Sequence, residues 1–130
     1  MSLDTASLKS SREDKDRLTR SCCEGVSYID TINQSLPSDD KVAKITSICK
    51  ALSDPVRVKM LFALQDYEIC VGEMSNLLGI SQSHVSHQFR ILRRYKIVDY
   101  TKDKKMSFYR IVNDDAKQML AIADKKIKEE

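Results

Sequence analysis

The chain has 130 residues and a formal net charge of +3, which suits a single small domain with a modest core. No apolar run approaches the roughly 18 residues that a membrane span needs, and no signal-peptide pattern opens the chain. We therefore expect a cytoplasmic protein with no membrane partner, whose four cysteines are thiols rather than a disulfide framework.

The positive charge is concentrated in one block of the chain. Residues 81–110 contain eight Lys and Arg residues against only Asp99 and Asp103, a net charge of +6, while the segments on either side are weakly acidic. A local field of one sign is how a small domain attracts a polyanion. On charge alone, a merely solvated basic face stays an alternative.

The N-terminal part is predicted to contain an arm and two helices. Residues 1–15 are polar, have no apolar periodicity and are expected to be disordered, so the domain is assigned to residues 16–130. Apolar residues then recur at three- and four-residue steps from Leu18 to Leu36, and Pro37 ends that helix. A second helix follows, and its core-facing side is predicted to carry Val42, Ile45, Cys49 and Leu52.

A third helix begins within "SDPVR". Asp54 can accept hydrogen bonds from the free amides of a first turn, and Pro55 loses nothing there by lacking an N–H. The helix, over about residues 55–65, is apolar on much of its surface, which predicts a central position. The "YEICV" segment that follows is rich in residues that favour strands.

A short helix comes next, over about Val71–Leu78. Met74, Leu77 and Leu78 are predicted to face inward. Gly79 then closes the helix as a C-terminal cap.

A longer helix begins after Ser81, which is expected to cap it. Its buried stripe is predicted to be Val85, Phe89 and Leu92. A short helix, a tight glycine turn and a longer helix form the helix-turn-helix arrangement.

The remaining chain is predicted to form a hairpin and a last helix. "KIVDYTKDKKMSFYRIV" has the pattern of two strands joined by a charged turn, and Asn113 is expected to cap the final helix. The turn has no glycine, but Asp103 can tolerate a left-handed conformation. The predicted fold is mostly α with one β-hairpin.

The longer helix has a polar face opposite its apolar stripe. That face is predicted to carry Ser83, His87, Arg90 and Arg94, and the N-terminal end to carry Ser81, Gln82, His84 and Ser86. This division suits a recognition helix, because short polar side chains in its first turns can contact base edges in a major groove about 12 Å wide. Its arginines, and the turn residues Lys102, Lys104 and Lys105, would contact phosphates.

Two catalytic or metal-binding alternatives fit the same stretch less well. His84 and His87 are three residues apart, but no third Cys, His or carboxylate ligand lies nearby. Acid–base catalysis lacks a local carboxylate partner, a glycine-rich phosphate loop and a nucleophile motif. The sequence therefore predicts a protein that is not an enzyme.

The motifs together resemble the ArsR/SmtB family of winged helix-turn-helix transcriptional repressors. The resemblance covers about residues 40–125 and rests on "ICKALSDPVRVKMLFAL" and on "EICVGEMSNLLGISQSHVSHQFRILRRYKIVDYTKDKKMSFYRI". It implies a homodimer built from N- and C-terminal dimerisation helices that binds a roughly palindromic double-stranded operator without any required cofactor. It also implies that an inducer weakens DNA binding and so releases transcription.

The resemblance points to a metal-sensing site made of cysteines. Cys70 matches the first cysteine of the family's "E-L-C-V-C" segment, Gly72 stands at the second position, and the arm supplies Cys22 and Cys23. Three thiolates suit arsenite, antimonite, cadmium or lead. Adjacent side chains on a helix diverge by about 100°, so Cys22 and Cys23 can share an ion only where the arm is not helical.

A second family site, on the last helix, corresponds to residues that make a poor transition-metal site: Asn113, Asp115, Lys126 and Glu129. We judge that site absent. Cys49 is expected to pack in the core.

Two other functions stay open. Cys22 or Cys23 could be a redox thiol that pairs with Cys70 or with the partner subunit. The winged helix could instead contact proteins, although protein interfaces deplete lysine, which argues against this use of the basic block.

Overall fold

The structure is a computed structural model that describes residues 26–129. The predicted arm at residues 1–15 and the helical stripe before residue 26 lie outside the described residues. The elements are α1 (Val26–Ser35), α2 (Asp39–Ala51), α3 (Pro55–Ala63), β1 (Ile69–Cys70), α4 (Val71–Leu78), α5 (Gln82–Arg94), β2 (Val98–Asp103), β3 (Met106–Ile111) and α6 (Asp114–Lys126).

The chain divides into two units at the boundary between Ser38 and Asp39. In the first unit the described element is α1, which confirms the helix predicted before Pro37. The second unit holds every element from α2 onwards. None of the helices within residues 26–129 is long and apolar enough to span a bilayer.

The start of α3 follows the local chemistry of the sequence. A carboxylate oxygen of Asp54 accepts a hydrogen bond from the backbone N–H of Arg57 at 3.1 Å, and Pro55 occupies the first helical position. Met60 and Leu61 are completely buried, which confirms the central position predicted for this helix.

The side of α2 that faces the core differs from the predicted one. Ile48 and Ala51 are buried, whereas Cys49 is exposed, so the expectation that Cys49 packs in the core is wrong. Apolar residues occupy two neighbouring stripes of α2, and the helix turns the stripe of Ile48 and Leu52 inward. The adjacent stripe, with Val42 and Ile45, stays on the surface.

The short helix α4 also corrects one prediction. Met74 is completely buried, but Leu77 is 62% exposed. In a helix of only 8 residues, Met74 and Leu78 lie one turn apart on the packed side. Leu77 lies about 100° around the helix from Leu78, at the rim of a shallow surface depression with Tyr67 and Glu73.

The helix-turn-helix turn is formed as the sequence predicts. Gly79 ends α4 in the left-handed conformation, with φ of 68°. Ser81 Oγ then accepts a hydrogen bond from the backbone N–H of His84 at 3.1 Å, which starts α5. The buried stripe of α5 is Val85, Phe89 and Leu92, as expected.

The β2–β3 hairpin forms the wing, and β1 pairs with β3 to complete a three-stranded antiparallel sheet with the strand order β1-β3-β2. The β2–β3 hairpin runs in register from Val98 opposite Ile111 to Asp103 opposite Met106. Lys104 adopts the left-handed conformation at the turn, with φ of 61°, and Asp103 ends the strand before it. The tip therefore closes without a glycine, with Lys104 rather than Asp103 in the left-handed conformation.

The core of the second unit lies between its helices and the inner face of this sheet. Its completely or almost completely buried large side chains are Met60, Leu61, Met74, Val85, Phe89, Leu92, Ile97 and Val98. The last helix, α6, begins where predicted, because Asn113 accepts a hydrogen bond from the backbone N–H of Ala116 at 3.0 Å.

Replacing glycine with alanine should have opposite effects on stability at the two glycines of the helix-turn-helix. At Gly79 an added Cβ meets no atom within 4 Å, so Gly79→Ala adds only left-handed backbone strain. This strain should lower the free energy of unfolding by about 1 kcal/mol. Gly72 lies within α4, and its added Cβ meets only the Gln82 side chain at 3.9 Å. Gly72→Ala should therefore raise the free energy of unfolding by about 0.5 kcal/mol. Urea unfolding of both variants tests this, and equal effects would contradict the assigned turn.

Candidate nucleic-acid interface

One face of α5 is polar and open to solvent because the other is locked in the core. Val85, Phe89 and Leu92 are each 0% exposed. The opposite side and the N-terminal end expose Ser81, Gln82, Ser83, His84, His87, Arg90 and Arg94, with Ser86 half-buried. The structure therefore leaves all the predicted contact residues of this helix accessible to solvent, Ser86 only in part.

The predicted phosphate-binding residues of the wing lie at the tip of the hairpin. Lys102 is in β2, and Lys104 and Lys105 form the turn, and all three are exposed. Because β2 and β3 are paired along their whole length, the sheet fixes the position of the turn that joins them.

An aromatic stack joins the recognition helix to the wing. The rings of Phe89 and Tyr109 are stacked with centroids 3.8 Å apart and planes 3° apart, and Tyr100 packs against Tyr109 at 5.3 Å. Burial raises the pKa of the Tyr109 phenol above its ordinary value of 10.0, while the charges of Arg93 and Arg90 act in the opposite direction. The phenol is therefore neutral at physiological pH, which is compatible with its packing against the buried Phe89 ring.

Arg93 belongs to this junction rather than to the open face. Its Nε lies 3.3 Å from a carboxylate oxygen of Asp99, and its guanidinium carbon lies 4.7 Å from the centre of the Tyr100 ring. Together these contacts tie the end of α5 to β2.

Sequence analysis missed a polar network behind the recognition helix. Gln88 is 6% exposed, and its amide bonds Arg57 of α3 and approaches Asp54 and His84. The Asp-Pro-x-Arg start of α3 contained a signal for this network, but the sequence does not say which residue of α5 the arginine meets.

The cysteines of the proposed metal site are only partly described. Cys70 is 5% exposed and is the last residue of β1, whereas Cys22 and Cys23 lie outside the described residues. Within residues 26–129, no group of three or more Cys, His, Asp and Glu side chains is placed to hold a metal ion. Glu73 accepts a hydrogen bond from the backbone N–H of Cys70 at 3.0 Å, which fixes the start of α4.

A capped recognition helix with a polar face, a preceding short helix and a basic hairpin define a winged helix-turn-helix DNA-binding protein. The family model described as bacterial regulatory protein, arsR family, matches residues 54–100.

Similar proteins agree with this class. The chain is 31% identical over 108 residues to the cadmium resistance transcriptional regulatory protein CadC homolog of Staphylococcus aureus, covering 79% of this chain and 88% of that protein. It is 29% identical over 96 residues to the transcriptional repressor SmtB homolog of Synechocystis sp., covering 72% and 73%. The structure of HlyU from Vibrio cholerae matches with a TM-score of 0.65 and 31% identity over 68% of this chain and 96% of that one.

This chain belongs to the ArsR family of bacterial regulatory proteins. The resemblance seen in the sequence is confirmed, as is the winged helix-turn-helix fold.

Proposed function

We propose that this protein is a transcriptional repressor that binds its operator as a homodimer and leaves it when an inducer binds. The observation that carries the proposal is the exposed polar and basic face of α5, continued by the basic wing tip. No catalytic step is part of the proposal.

The first turns of α5 carry the sequence preference in this proposal. Ser81, Gln82, Ser83 and His84 are exposed at the N-terminal end, where a recognition helix enters the major groove. Phosphate contacts come from residues farther along the helix and from the wing: Arg90, Arg94, Lys102, Lys104 and Lys105. Such contacts set the register on the duplex, while the base contacts discriminate between sequences.

Salt dependence tests the phosphate contacts. Arg94→Ala should weaken binding to all DNA sequences alike, and it should reduce the slope of log affinity against log salt by about one unit. The matched control is Lys125→Ala, since both residues lie in the last turn of a helix and only Arg94 is on the proposed surface. Fluorescence anisotropy with a labelled fragment of the protein's own upstream DNA measures both slopes. Equal slopes for the two variants, or binding indifferent to salt, would contradict the DNA-contact assignment and favour a protein-interaction role.

A second copy of this chain is the proposed occupant of exposed apolar positions on α2 and α6, and separately on α1. Val42 and Ile45 of α2 and Ile122 of α6 are exposed, and Ile122 is 59% so. In the first unit, α1 also exposes Ile29 and Ile32. The family's dimerisation helices are its N- and C-terminal ones, and a two-fold dimer would present two recognition helices to half-sites about one DNA turn apart.

Charge placed at this surface should separate the subunits. Ile122→Glu is expected to shift the protein from dimer to monomer, because an ionised side chain would be buried between the copies. Leu77→Glu is the control, since Leu77 is as exposed as Ile122 but lies on α4, away from the proposed surface. Sedimentation equilibrium measures whether each variant is a monomer or a dimer. A monomeric unsubstituted chain would contradict the proposed dimer outright.

The proposed inducer is a thiophilic ion, arsenite, antimonite, cadmium or lead, bound by Cys22, Cys23 and Cys70. The position of Cys70 supports a regulatory role. It lies opposite Phe108 of β3, one residue from the Ile69–Tyr109 pair, and Tyr109 stacks on Phe89 of the recognition helix. An ion that displaces Cys70 would therefore act on both the wing and α5. By linkage, an inducer that weakens DNA binding must itself bind the DNA-bound form less tightly.

The two described cysteines provide a matched test of this site. Cys70→Ser should abolish the release of labelled upstream DNA by the inducing ion, whereas Cys49→Ser, at an exposed cysteine, should leave release intact. Anisotropy is measured with reduced protein after separate additions of arsenite, antimonite, cadmium, lead and mild oxidant. An unchanged response in Cys70→Ser would rule out the three-thiol site, and release by oxidant alone would identify a thiol switch instead.

A further inference from the structure

The guanidinium of Arg57 is held in a fixed orientation behind the recognition helix. Its Nε donates to the backbone carbonyl of Ala51 at 2.8 Å, and its Nη2 donates to that of Lys50 at 3.3 Å. Both carbonyls belong to the C-terminal turn of α2. The remaining terminal nitrogen, Nη1, points at the side-chain amide of Gln88 and lies 3.0 Å from it.

This contact decides which way the Gln88 amide faces. A guanidinium has donors only, so the Gln88 atom that meets Nη1 must be the oxygen. The NH2 group then faces the other way, where its nitrogen lies 3.4 Å from a carboxylate oxygen of Asp54. A carboxylate is an acceptor, so Asp54 selects the same orientation independently. A flipped Gln88 would set donor against donor at Arg57 and acceptor against acceptor at Asp54.

The fixed amide in turn decides where His84 carries its proton. The Gln88 nitrogen lies 3.3 Å from Nε2 of His84, one helical turn earlier. Since the amide nitrogen donates, Nε2 must be the unprotonated nitrogen of the neutral ring, and the proton must be on Nδ1. Neutral imidazole in water ordinarily prefers the other tautomer, with the proton on Nε2. The network therefore imposes a choice that an unconstrained histidine would not make.

We propose that Gln88, held by Arg57, is a positioning residue that makes His84 a hydrogen-bond donor through Nδ1 to an acceptor atom on DNA. This inference rests on the proposed DNA-binding role of α5. His84 is in the first turn of that helix and is exposed, and first-turn residues of a recognition helix face the bases. Acceptors available in the major groove are O6 and N7 of guanine, N7 of adenine and O4 of thymine.

The tautomer can be measured on the free protein, without DNA. The chain has only two histidines, so one substitution assigns both rings. Long-range ¹H–¹⁵N correlation spectra of the full chain, recorded in mildly alkaline buffer, should show His84 protonated on Nδ1. His87, exposed on the same helix, should show the ordinary Nε2 form. A His84 ring protonated on Nε2, or one that exchanges between the two tautomers, would overturn the proposal whether or not the protein binds DNA.

An isosteric substitution should reverse the tautomer. In Gln88→Glu the side chain keeps its shape and its acceptor for Arg57, but an oxygen that faces both His84 and Asp54 replaces the amide nitrogen. The proton on His84 should therefore move to Nε2. Gln88→Met removes both polar atoms and should return His84 to the ordinary tautomer. Circular dichroism checks that each variant is folded, and one folded variant with an unmoved Nδ1 proton would be enough to refute the positioning role.

DNA binding supplies the second readout. Gln88→Glu also adds a negative charge, so its effect is compared in the unsubstituted chain and in the His84→Ala background. The loss of affinity for upstream DNA should be about two- to tenfold larger when His84 is present, the difference that one hydrogen bond makes. Equal losses in the two backgrounds would mean that Gln88 does not act through His84. If His84→Ala narrows the preference for upstream over scrambled DNA, the acceptor is a base edge, and if both affinities fall alike, it is a phosphate.

Discussion

The buried stripe of the recognition helix is the constraint on which the rest of the interface depends. Val85, Phe89 and Leu92 follow one another at four- and three-residue steps and are wholly enclosed by the core. Each such side chain contributes about 1.5–3 kcal/mol when it is removed from water, so α5 cannot rotate about its axis without losing several kcal/mol. The polar residues between them are thereby held on the surface. The stripe also positions the wing, because the Phe89 ring stacks on the ring of Tyr109 in β3.

Gln88 adds a polar constraint to the same helix. Within the part of the chain that the structure describes, it is the one polar or charged residue among the buried set. Burying an unpaired amide costs several kcal/mol on the transfer scales, but Gln88 is bonded to Arg57 and lies near Asp54 and His84. A satisfied buried network of this kind specifies one arrangement of its members more than it adds net stability. It connects the end of α2, the start of α3 and the exposed face of α5.

Much of the fold could be predicted because its signals are local. Asp54, Gly79, Ser81 and Asn113 each act on backbone groups within a few residues, so their capping roles could be inferred from the sequence, and the structure confirms them. The apolar stripe of α5 is bounded by polar residues on both sides, which left a single way to orient that helix.

The predictions that the structure corrects depend on contacts between distant parts of the chain. The rotation of α2 depends on which of two adjacent apolar stripes the rest of the core accepts, and Cys49 was assigned to the wrong one. Leu77 is apolar but is exposed at the rim of the surface depression beside α4. The hydrogen bond between Arg57 and Gln88 joins residues 31 positions apart, so no local sequence pattern predicts it.

The open face of α5 and the wing tip should contact DNA together. Backbone amide chemical-shift mapping of the full chain, during titration with its upstream DNA, tests this claim directly. The account predicts that the largest changes fall in residues 81–90 and at Lys104 and Lys105, and that they grow together as one binding event. Changes confined to α4 and the depression beside Leu77, with α5 and the wing tip unmoved, would contradict it.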